Sequence, residues 1–137
     1  MQTNNITYQE KPFLTILLPC YNEEAILSNN VKILIDYLND ITFKYTWEVL
    51  LVNDGSKDKT GEIANELSAG NKNIRVIHHP VNLNLGNALK TGFKNANGEI
   101  IVVLDIDLSY SADHIKTMVD KMVETSCDIV VASPYMK

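Results

Sequence analysis

Residues 98–110 read GEIIVVLDIDLSY, and this stretch contains the pattern that decides the fold. The strand predicted at its centre, Glu99–Asp105, contains a continuous apolar run at residues 100–104, which is typical of a strand buried on both faces of a parallel sheet. Asp105, Ile106 and Asp107 follow at once, so acidic groups stand at the carboxyl end of the predicted strand. We therefore predict a covered strand that delivers carboxylates to one edge of a sheet.

The same pattern recurs along the chain. Further strands are predicted over Phe13–Pro19, Trp47–Asn53, Ile74–His79 and Asp128–Ser133. Between them lie segments with helical spacing of apolar residues, namely Glu24–Asn39 with Asn22 as its cap, Lys59–Ala69, Leu85–Ala96 and Ile115–Val123. Strands that alternate with helices require crossover connections, which indicates a mostly parallel, Rossmann-like α/β sheet with helices on both faces.

Length and composition narrow the class of protein. The 137 residues, 45% of them hydrophobic, predict one domain with its own core over residues 1–137. Because the chain stops directly after the fifth predicted strand, we expect this domain to be truncated at its C-terminus. A formal charge of −5 disfavours nucleic acid as a partner.

Cysteine usage and hydropathy bear on the compartment. Cys20 and Cys127 each lie in an apolar stretch without metal-ligand spacing, so buried thiols in a reducing compartment are predicted. No apolar run is long enough to span a bilayer, and residues 1–12 contain no apolar signal core. We expect a cytoplasmic domain, placed at the cytoplasmic face of a membrane only if regions outside this chain hold it there.

The polar residues cluster where predicted strands end. Residues 20–24 (CYNEE) follow the first strand, residues 53–56 (NDGS) end the second, and residues 105–107 (DID) end the fourth. Since ligands of such sheets bind outside the carboxyl ends of the strands, these groups predict a site at that edge.

Asp105 and Asp107 are candidate metal ligands. If the chain is still extended there, both side chains point to one face with Cα atoms roughly 6.5–7 Å apart. Two carboxylates so close repel each other unless a cation lies between them, and Mg²⁺ binds through one or two carboxylates together with substrate phosphates. The alternative is a solvated turn.

For the other polar residues near the strand ends, the sequence also allows purely structural roles. Asp54 and Gly55 form a common turn pair, and Glu23 with Glu24 suits the positive end of a helix dipole. Tyr21 either packs locally or stacks on a base. Structural roles are predicted for His78 and His79, which have no acidic neighbour in sequence.

Missing motifs exclude several enzyme classes. The chain contains no Gly-x-Gly-x-x-Gly of dinucleotide-binding domains and no Gly-x-x-x-x-Gly-Lys-Ser/Thr phosphate loop. It also lacks the Gly-x-Ser-x-Gly elbow of common hydrolases.

Four motifs in order carry a resemblance to a known family. LTILLPCYNEE, VLLVNDGSKDKT, NLNLGNALKTGF and GEIIVVLDIDLSY, within a match from Leu14 to about Tyr135, resemble the inverting family-2 glycosyltransferases with the A-type nucleotide-sugar-binding fold. The similarity is closest to dolichyl- or polyprenyl-phosphate mannose and glucose synthases.

The resemblance implies roles for individual residues. Those implied to bind the nucleotide are Pro19, Tyr21 and Glu23 for base and ribose, Asp54 for the base, and Asp105 beside the diphosphate. Asp105 and Asp107 are implied to bind Mg²⁺ or Mn²⁺, and Gly86 and Gly92 to pack near the donor. Leu85 and Asn87 flank Gly86 where many relatives have Gly-Lys-Gly, so one cation that could face phosphate is missing.

The implied activity is metal-dependent transfer of a hexose, with inversion. The donor would be GDP-mannose or UDP-glucose, and the acceptor most consistent with the resemblance is a polyprenyl or dolichyl phosphate. A catalytic base is expected beyond Lys137 or not at all, so we expect this chain to bind a nucleotide sugar but to transfer slowly or not at all.

Two other functions stay open on sequence grounds. A non-catalytic nucleotide-binding module would bind without metal dependence. A haloacid-dehalogenase-like phosphatase would use Asp105 and Asp107 as nucleophile and acid, but only 30 residues follow Asp107.

Overall fold

A computed structural model describes residues 13–133 of the chain. Strands and helices alternate along it. The elements are β1 (Phe13–Cys20), α1 (Leu27–Asp40), β2 (Thr46–Asn53), α2 (Thr60–Gly70), β3 (Ile74–His78), α3 (Asn84–Asn95), β4 (Ile100–Val103) and α4 (His114–Thr125).

The four strands form one parallel sheet in the order β3-β2-β1-β4. The chain runs outward from β1 through β2 to β3 and then crosses to the other side of β1 to form β4. Strand order therefore reverses beside β1, which is where open α/β sheets bind their ligands. The predicted fold class is confirmed.

Alternating residues of β1 face two different layers. Leu14, Ile16 and Leu18 are fully buried in a core cluster to which α1, α2 and α4 contribute apolar side chains. Leu17 is buried in a second cluster, which contains Ala88 of α3. Both faces of the sheet are therefore covered by helices, which explains why its strands are continuous apolar runs.

Gly92 brings α3 close to the sheet. A Cβ atom at Gly92 would lie 2.3 Å from Cδ1 of Leu17, whereas a Cβ atom at Gly86 would meet no atom within 4 Å. The close packing implied for these glycines is thus found at Gly92 only. The apolar face predicted for α3 is also only partly buried, because Leu85 and Phe93 are exposed.

The predicted fifth strand is wrong. Residues 128–133 are not assigned to a strand, and the sheet of the described chain ends at β4. Ile129 and Val131 expose 77% and 78% of their surface. β4 pairs only with β1 within residues 13–133, so its other edge is open and the predicted strand does not occupy it. An apolar pattern indicates burial, whereas a strand also requires that the backbone groups of the segment pair with a neighbour.

The predicted cap of the first helix is also wrong. α1 begins at Leu27 with Ile26 in the cap position, because residues 24–26 form a turn first. Asn22 has a φ of 52° and accepts a hydrogen bond from the backbone N–H of Lys57 instead. Its side chain therefore serves the contact between two loops.

Candidate functional site

Four loops meet at the carboxyl edge of the sheet, because all four strands run in the same direction. They comprise residues 21–26, 54–59, 79–83 and 104–113, which follow β1, β2, β3 and β4. Of the residues predicted to bind the nucleotide or the metal, Tyr21 and Glu23 lie on the first loop, Asp54 on the second, and Asp105 and Asp107 on the fourth, while Pro19 lies near the end of β1.

Hydrogen bonds join the loop after β1 to the loop after β2. The backbone N–H groups of Asn22, Glu23 and Glu24 donate to side-chain oxygens of Ser56, Thr60 and Asp58. In return, the backbone N–H groups of Lys57 and Lys59 donate to the side chains of Asn22 and Glu24. The two loops therefore form one wall of the site, and Ser56, Asp58 and Thr60 serve to hold them together.

Pro19 and Tyr21 begin this wall. Pro19 lies inside β1 rather than ending it, opposite Val52, and beyond Leu17, the last β1 residue that pairs with β4. A residue without a backbone N–H is tolerated where one neighbouring strand has ended. Tyr21 exposes 42% of its surface, so its ring is accessible for stacking.

Asp54 is a buried carboxylate with three hydrogen-bond donors. Its Oδ1 lies 2.7 Å from Nδ1 of His79 and accepts the backbone N–H of Leu83 at 2.9 Å. Its Oδ2 accepts Nδ2 of Asn82 at 3.2 Å. The residue is only 4% exposed, so most of its hydrogen-bonding capacity holds the loop after β3.

His79 was missed as a partner of Asp54, although a signal for it existed. In the parallel register of β2 and β3, Asn53 stands opposite His78, so the next residues of both strands are neighbours. The other ring nitrogen of His79, Nε2, lies 2.8 Å from Oγ1 of Thr91. Since a carboxylate can only accept, Nδ1 of His79 is the donor in the contact with Asp54.

Gly55 allows the loop after β3, residues 79–83, to pack closely against the turn after β2. Its φ of +66° lies in the left-handed region, and a Cβ atom there would stand 2.1 Å from the carbonyl carbon of Val81. Only glycine accommodates both conditions. The turn pair Asp54-Gly55 thus fixes residues 79–83 by hydrogen bonds and by close packing.

Asp105 and Asp107 lie in a turn after β4, not in an extended strand as predicted. β4 ends at Val103, the N–H of Leu108 donates to the carbonyl of Asp105, and Leu108 has a φ of 51°. Both aspartates are nevertheless exposed, while Ile106 between them is buried. The two carboxylates therefore face solvent at the reversal point of the strand order.

The carboxylates at this edge influence one another. Partial burial, together with the charges of Asp107 and Asp58, raises the pKa of Glu23 above its ordinary value. Burial, with a smaller effect of Glu23, raises the pKa of the Cys20 thiol to about 12, so this cysteine is an inert core residue. Glu23 and Asp107 thus concentrate negative charge where a cation would relieve it.

The donor set fits a cation that completes its shell with ligand oxygens. No group of three or more His, Cys, Asp or Glu side chains suited to a metal ion exists among residues 13–133. Mg²⁺ is commonly bound by only one or two carboxylates, and phosphate oxygens and water complete its shell. The two exposed aspartates can supply the carboxylates. A self-sufficient zinc-type site is absent from this part of the chain.

Space is available beside the aspartates. A cavity of about 1020 Å³ opens between β4, α4 and residues 127–132, and Asp105 is one of its lining residues. Most of the other lining residues are apolar, among them Ile101, Met118 and Ile129.

Comparison with known proteins decides the family. The family model described as "Glycosyl transferase family 2" matches residues 15–137, which is most of the chain. The chain belongs to glycosyltransferase family 2. This membership confirms the resemblance and leaves the phosphatase alternative without support.

Curated relatives within the family are considerably longer. A dolichyl-phosphate beta-glucosyltransferase of Trichomonas vaginalis is 34% identical over 109 residues, which cover 77% of this chain and 34% of the relative. Glycosyltransferase AglD of Haloferax volcanii is 31% identical over 123 residues, which cover 90% of this chain and 20% of the relative. The family-2 chain therefore spans about a third of the length of the first protein and a fifth of the second.

Solved structures share the fold. A mannosyltransferase from Pyrobaculum calidifontis in complex with GDP-Man and Mn²⁺ superimposes with a TM-score of 0.68 at 24% identity, covering 82% of this chain and 32% of that one. Glucosyl-3-phosphoglycerate synthase from Mycobacterium tuberculosis in complex with UDP gives 0.62 at 25% identity, covering 82% and 40%. Within residues 13–133 of the family-2 chain, no helix is both long and apolar enough to cross a membrane.

Proposed function

We propose that this chain is the donor-binding part of a metal-dependent glycosyltransferase, which moves a hexose from a nucleotide sugar to an acceptor with inversion. The observation that carries the proposal is the exposed pair Asp105 and Asp107 at the point where strand order reverses, next to the negatively charged Glu23. Family membership supplies the chemistry that such a site serves.

The nucleotide lies between the loops after β1, β2 and β4 in this proposal. Tyr21 presents its ring to the base, and Pro19 and Glu23 shape the wall that holds base and ribose. Asp54 forms the floor of the nucleotide site, and its Oδ2 accepts a further hydrogen bond from the base. Asp105 lies beside the diphosphate.

Asp105 and Asp107 hold Mg²⁺ or Mn²⁺ together with the diphosphate oxygens. A bound divalent cation neutralises the negative charge that develops on the leaving diphosphate. The chain itself keeps two carboxylates exposed near a third acidic side chain, Glu23. Their mutual repulsion is unfavourable without a cation and is relieved when a cation binds.

The donor and acceptor are proposed from the relatives. A solved neighbour holds GDP-Man with Mn²⁺ and another holds UDP-glucose with Mn²⁺, so GDP-mannose and UDP-glucose are the donors to test. Relatives are named dolichyl-phosphate glucosyltransferases, and we propose a polyprenyl or dolichyl phosphate as acceptor. Such an acceptor places the protein at the cytoplasmic face of a membrane, held there by regions outside this chain.

Residues 1–137 form one donor-binding domain in this account, and a catalytic base is either supplied from beyond Lys137 or not present. With radiolabelled donor, Mn²⁺ and polyprenyl phosphate, we expect the 137-residue chain to give at most a trace of glycolipid. Rapid transfer by this chain alone would contradict the proposal that residues 1–137 bind the donor without supplying a catalytic base.

Nucleotide-dependent thermal stabilisation tests the site itself. With Mn²⁺ present, UDP or GDP should raise the unfolding temperature of the chain, because a ligand that binds only the folded state stabilises it. Asp107→Asn should abolish this rise. Asp113→Asn makes the same charge change at an exposed residue of the same loop and should preserve it.

Stabilisation that survives in Asp107→Asn would place the nucleotide elsewhere. Stabilisation of equal size without Mn²⁺ would favour a non-catalytic nucleotide-binding module.

A further inference from the structure

Asn30 of α1 contacts the turn that presents the two aspartates. Its Nδ2 donates to the carbonyl oxygen of Ile106 at 2.8 Å, and Ile106 is the residue between Asp105 and Asp107. No sequence motif singled out Asn30, which lies 76 residues away along the chain.

The Ile106 carbonyl needs such a partner. The turn lies beyond the end of β4, so a ladder of strand hydrogen bonds does not fix its peptide groups. The Ile106 side chain is 3% exposed and packs in the main core. Within the turn, the N–H of Leu108 donates to the Asp105 carbonyl and the N–H of Ser109 donates to Oδ1 of Asp107, and neither bond involves the Ile106 carbonyl. The amide of Asn30 fixes the plane of the peptide that joins Ile106 to Asp107.

A second contact of α1 acts on the far end of the same connection. Tyr37 donates its hydroxyl to the carbonyl oxygen of Asp113 at 3.0 Å. Asn30 and Tyr37 are seven residues apart, about two helical turns, so both lie on one face of α1. This helix therefore holds the β4–α4 connection at both ends, next to the aspartates and just before α4.

We propose that Asn30 is a positioning residue for the cation site. By fixing the Ile106 peptide, it sets the directions in which the carboxylates of Asp105 and Asp107 leave the turn. The mutual repulsion of acidic groups at this edge would otherwise drive them apart. This inference rests on the metal site put forward under the proposed function.

The test measures Mn²⁺ affinity of the full 137-residue chain from the signal of free Mn²⁺ in electron paramagnetic resonance. Asn30→Ala should weaken Mn²⁺ binding by about 3- to 10-fold, the effect of losing one net hydrogen bond. Asn39→Ala is the matched control, because Asn39 is an exposed residue of the same helix and lies nine residues beyond Asn30. Asp107→Asn defines the part of the signal that belongs to the site.

A metal-free readout accompanies the titration. In Asn30→Ala without metal, the backbone amides of Asp107 and Leu108 should shift in the NMR spectrum and exchange faster with solvent, while those of β1 remain unchanged. Asn30→Leu keeps the size of the side chain and removes the donor, so it repeats both measurements if the alanine variant folds poorly.

The outcomes separate the two proposals. If Mn²⁺ affinity is identical in wild type and Asp107→Asn, the metal site fails and the inference about Asn30 fails with it, whatever the amides show. If Asp107→Asn loses binding but Asn30→Ala and Asn30→Leu bind as tightly as Asn39→Ala, the role of Asn30 is overturned and the metal site stands.

Discussion

Oδ1 of Asp54 lies 2.7 Å from Nδ1 of His79, and this contact joins the loops that follow two neighbouring strands. Both side chains are nearly inaccessible, at 5% and 9% exposure. The same carboxylate accepts the N–H of Leu83, directly before α3. One buried acid thereby fixes where α3 begins relative to β2.

We expect His79→Leu to destabilise the chain by about 1–3 kcal/mol, since it leaves a buried carboxylate oxygen with one donor fewer. His79→Asn retains an N–H near the position of Nδ1 and should lose distinctly less. Urea denaturation at neutral pH measures both free energies of unfolding. Equal losses in the two variants would show that ring packing, rather than the hydrogen bond, is what matters at this position.

Two glycines of α3 should respond to alanine with opposite signs. Gly92→Ala forces a methyl group into the buried side chain of Leu17 and should destabilise by about 1–3 kcal/mol. Gly86→Ala meets no atom within 4 Å and should stabilise by about 0.5–1 kcal/mol, because alanine is the better helix former. Thermal unfolding of both variants checks the pair, and a stabilising Gly92→Ala would refute the close contact between α3 and β1.

Glu23 should make the stability of the chain depend on pH. The pKa of Glu23 is raised in the folded state. The side chain therefore does not oppose folding at a pH below its ordinary pKa of 4.5, where it is a neutral carboxylic acid. It lowers the free energy of unfolding once the pH rises through the raised pKa and the group ionises. Glu23→Gln should therefore unfold at a higher temperature than wild type at pH 7 and at the same temperature near pH 4. The difference at pH 7 should shrink in high salt.

Glu24→Gln is the control, because Glu24 is exposed and its amide replacement can still accept from Lys59. A difference between Glu23→Gln and wild type that is as large at pH 4 as at pH 7 would rule out charge as the cause.

Much of the fold could be predicted because apolar runs and helical spacing report burial directly. β1, β2 and the parallel arrangement follow from runs such as VLLVN that no amphipathic helix would contain. The error at residues 128–133 has the same origin. Ile129 and Val131 have strand-like apolarity, but apolarity does not reveal whether the backbone of their segment pairs with the open edge of β4.

The sequence predicts at which edge of the sheet the site lies, but it does not predict the backbone geometry of the site. Asp105 and Asp107 were placed correctly at the carboxyl edge, since parallel strands must end together there. The turn that carries them depends on Leu108 in the left-handed region and on Asn30 of α1, which no local pattern indicates. His79 was missed because its acidic partner is close only across the sheet, 25 residues away in sequence.

The measurement that tests the central claim most directly is calorimetric titration of the chain with GDP, UDP, GDP-mannose and UDP-glucose, each with and without Mn²⁺. We predict that the nucleotides of one base bind in the presence of Mn²⁺, and that binding weakens at least about tenfold, roughly 1.4 kcal/mol, without the metal or in Asp107→Ala. Nucleotide binding that is equally tight without Mn²⁺ and in Asp107→Ala would contradict the account.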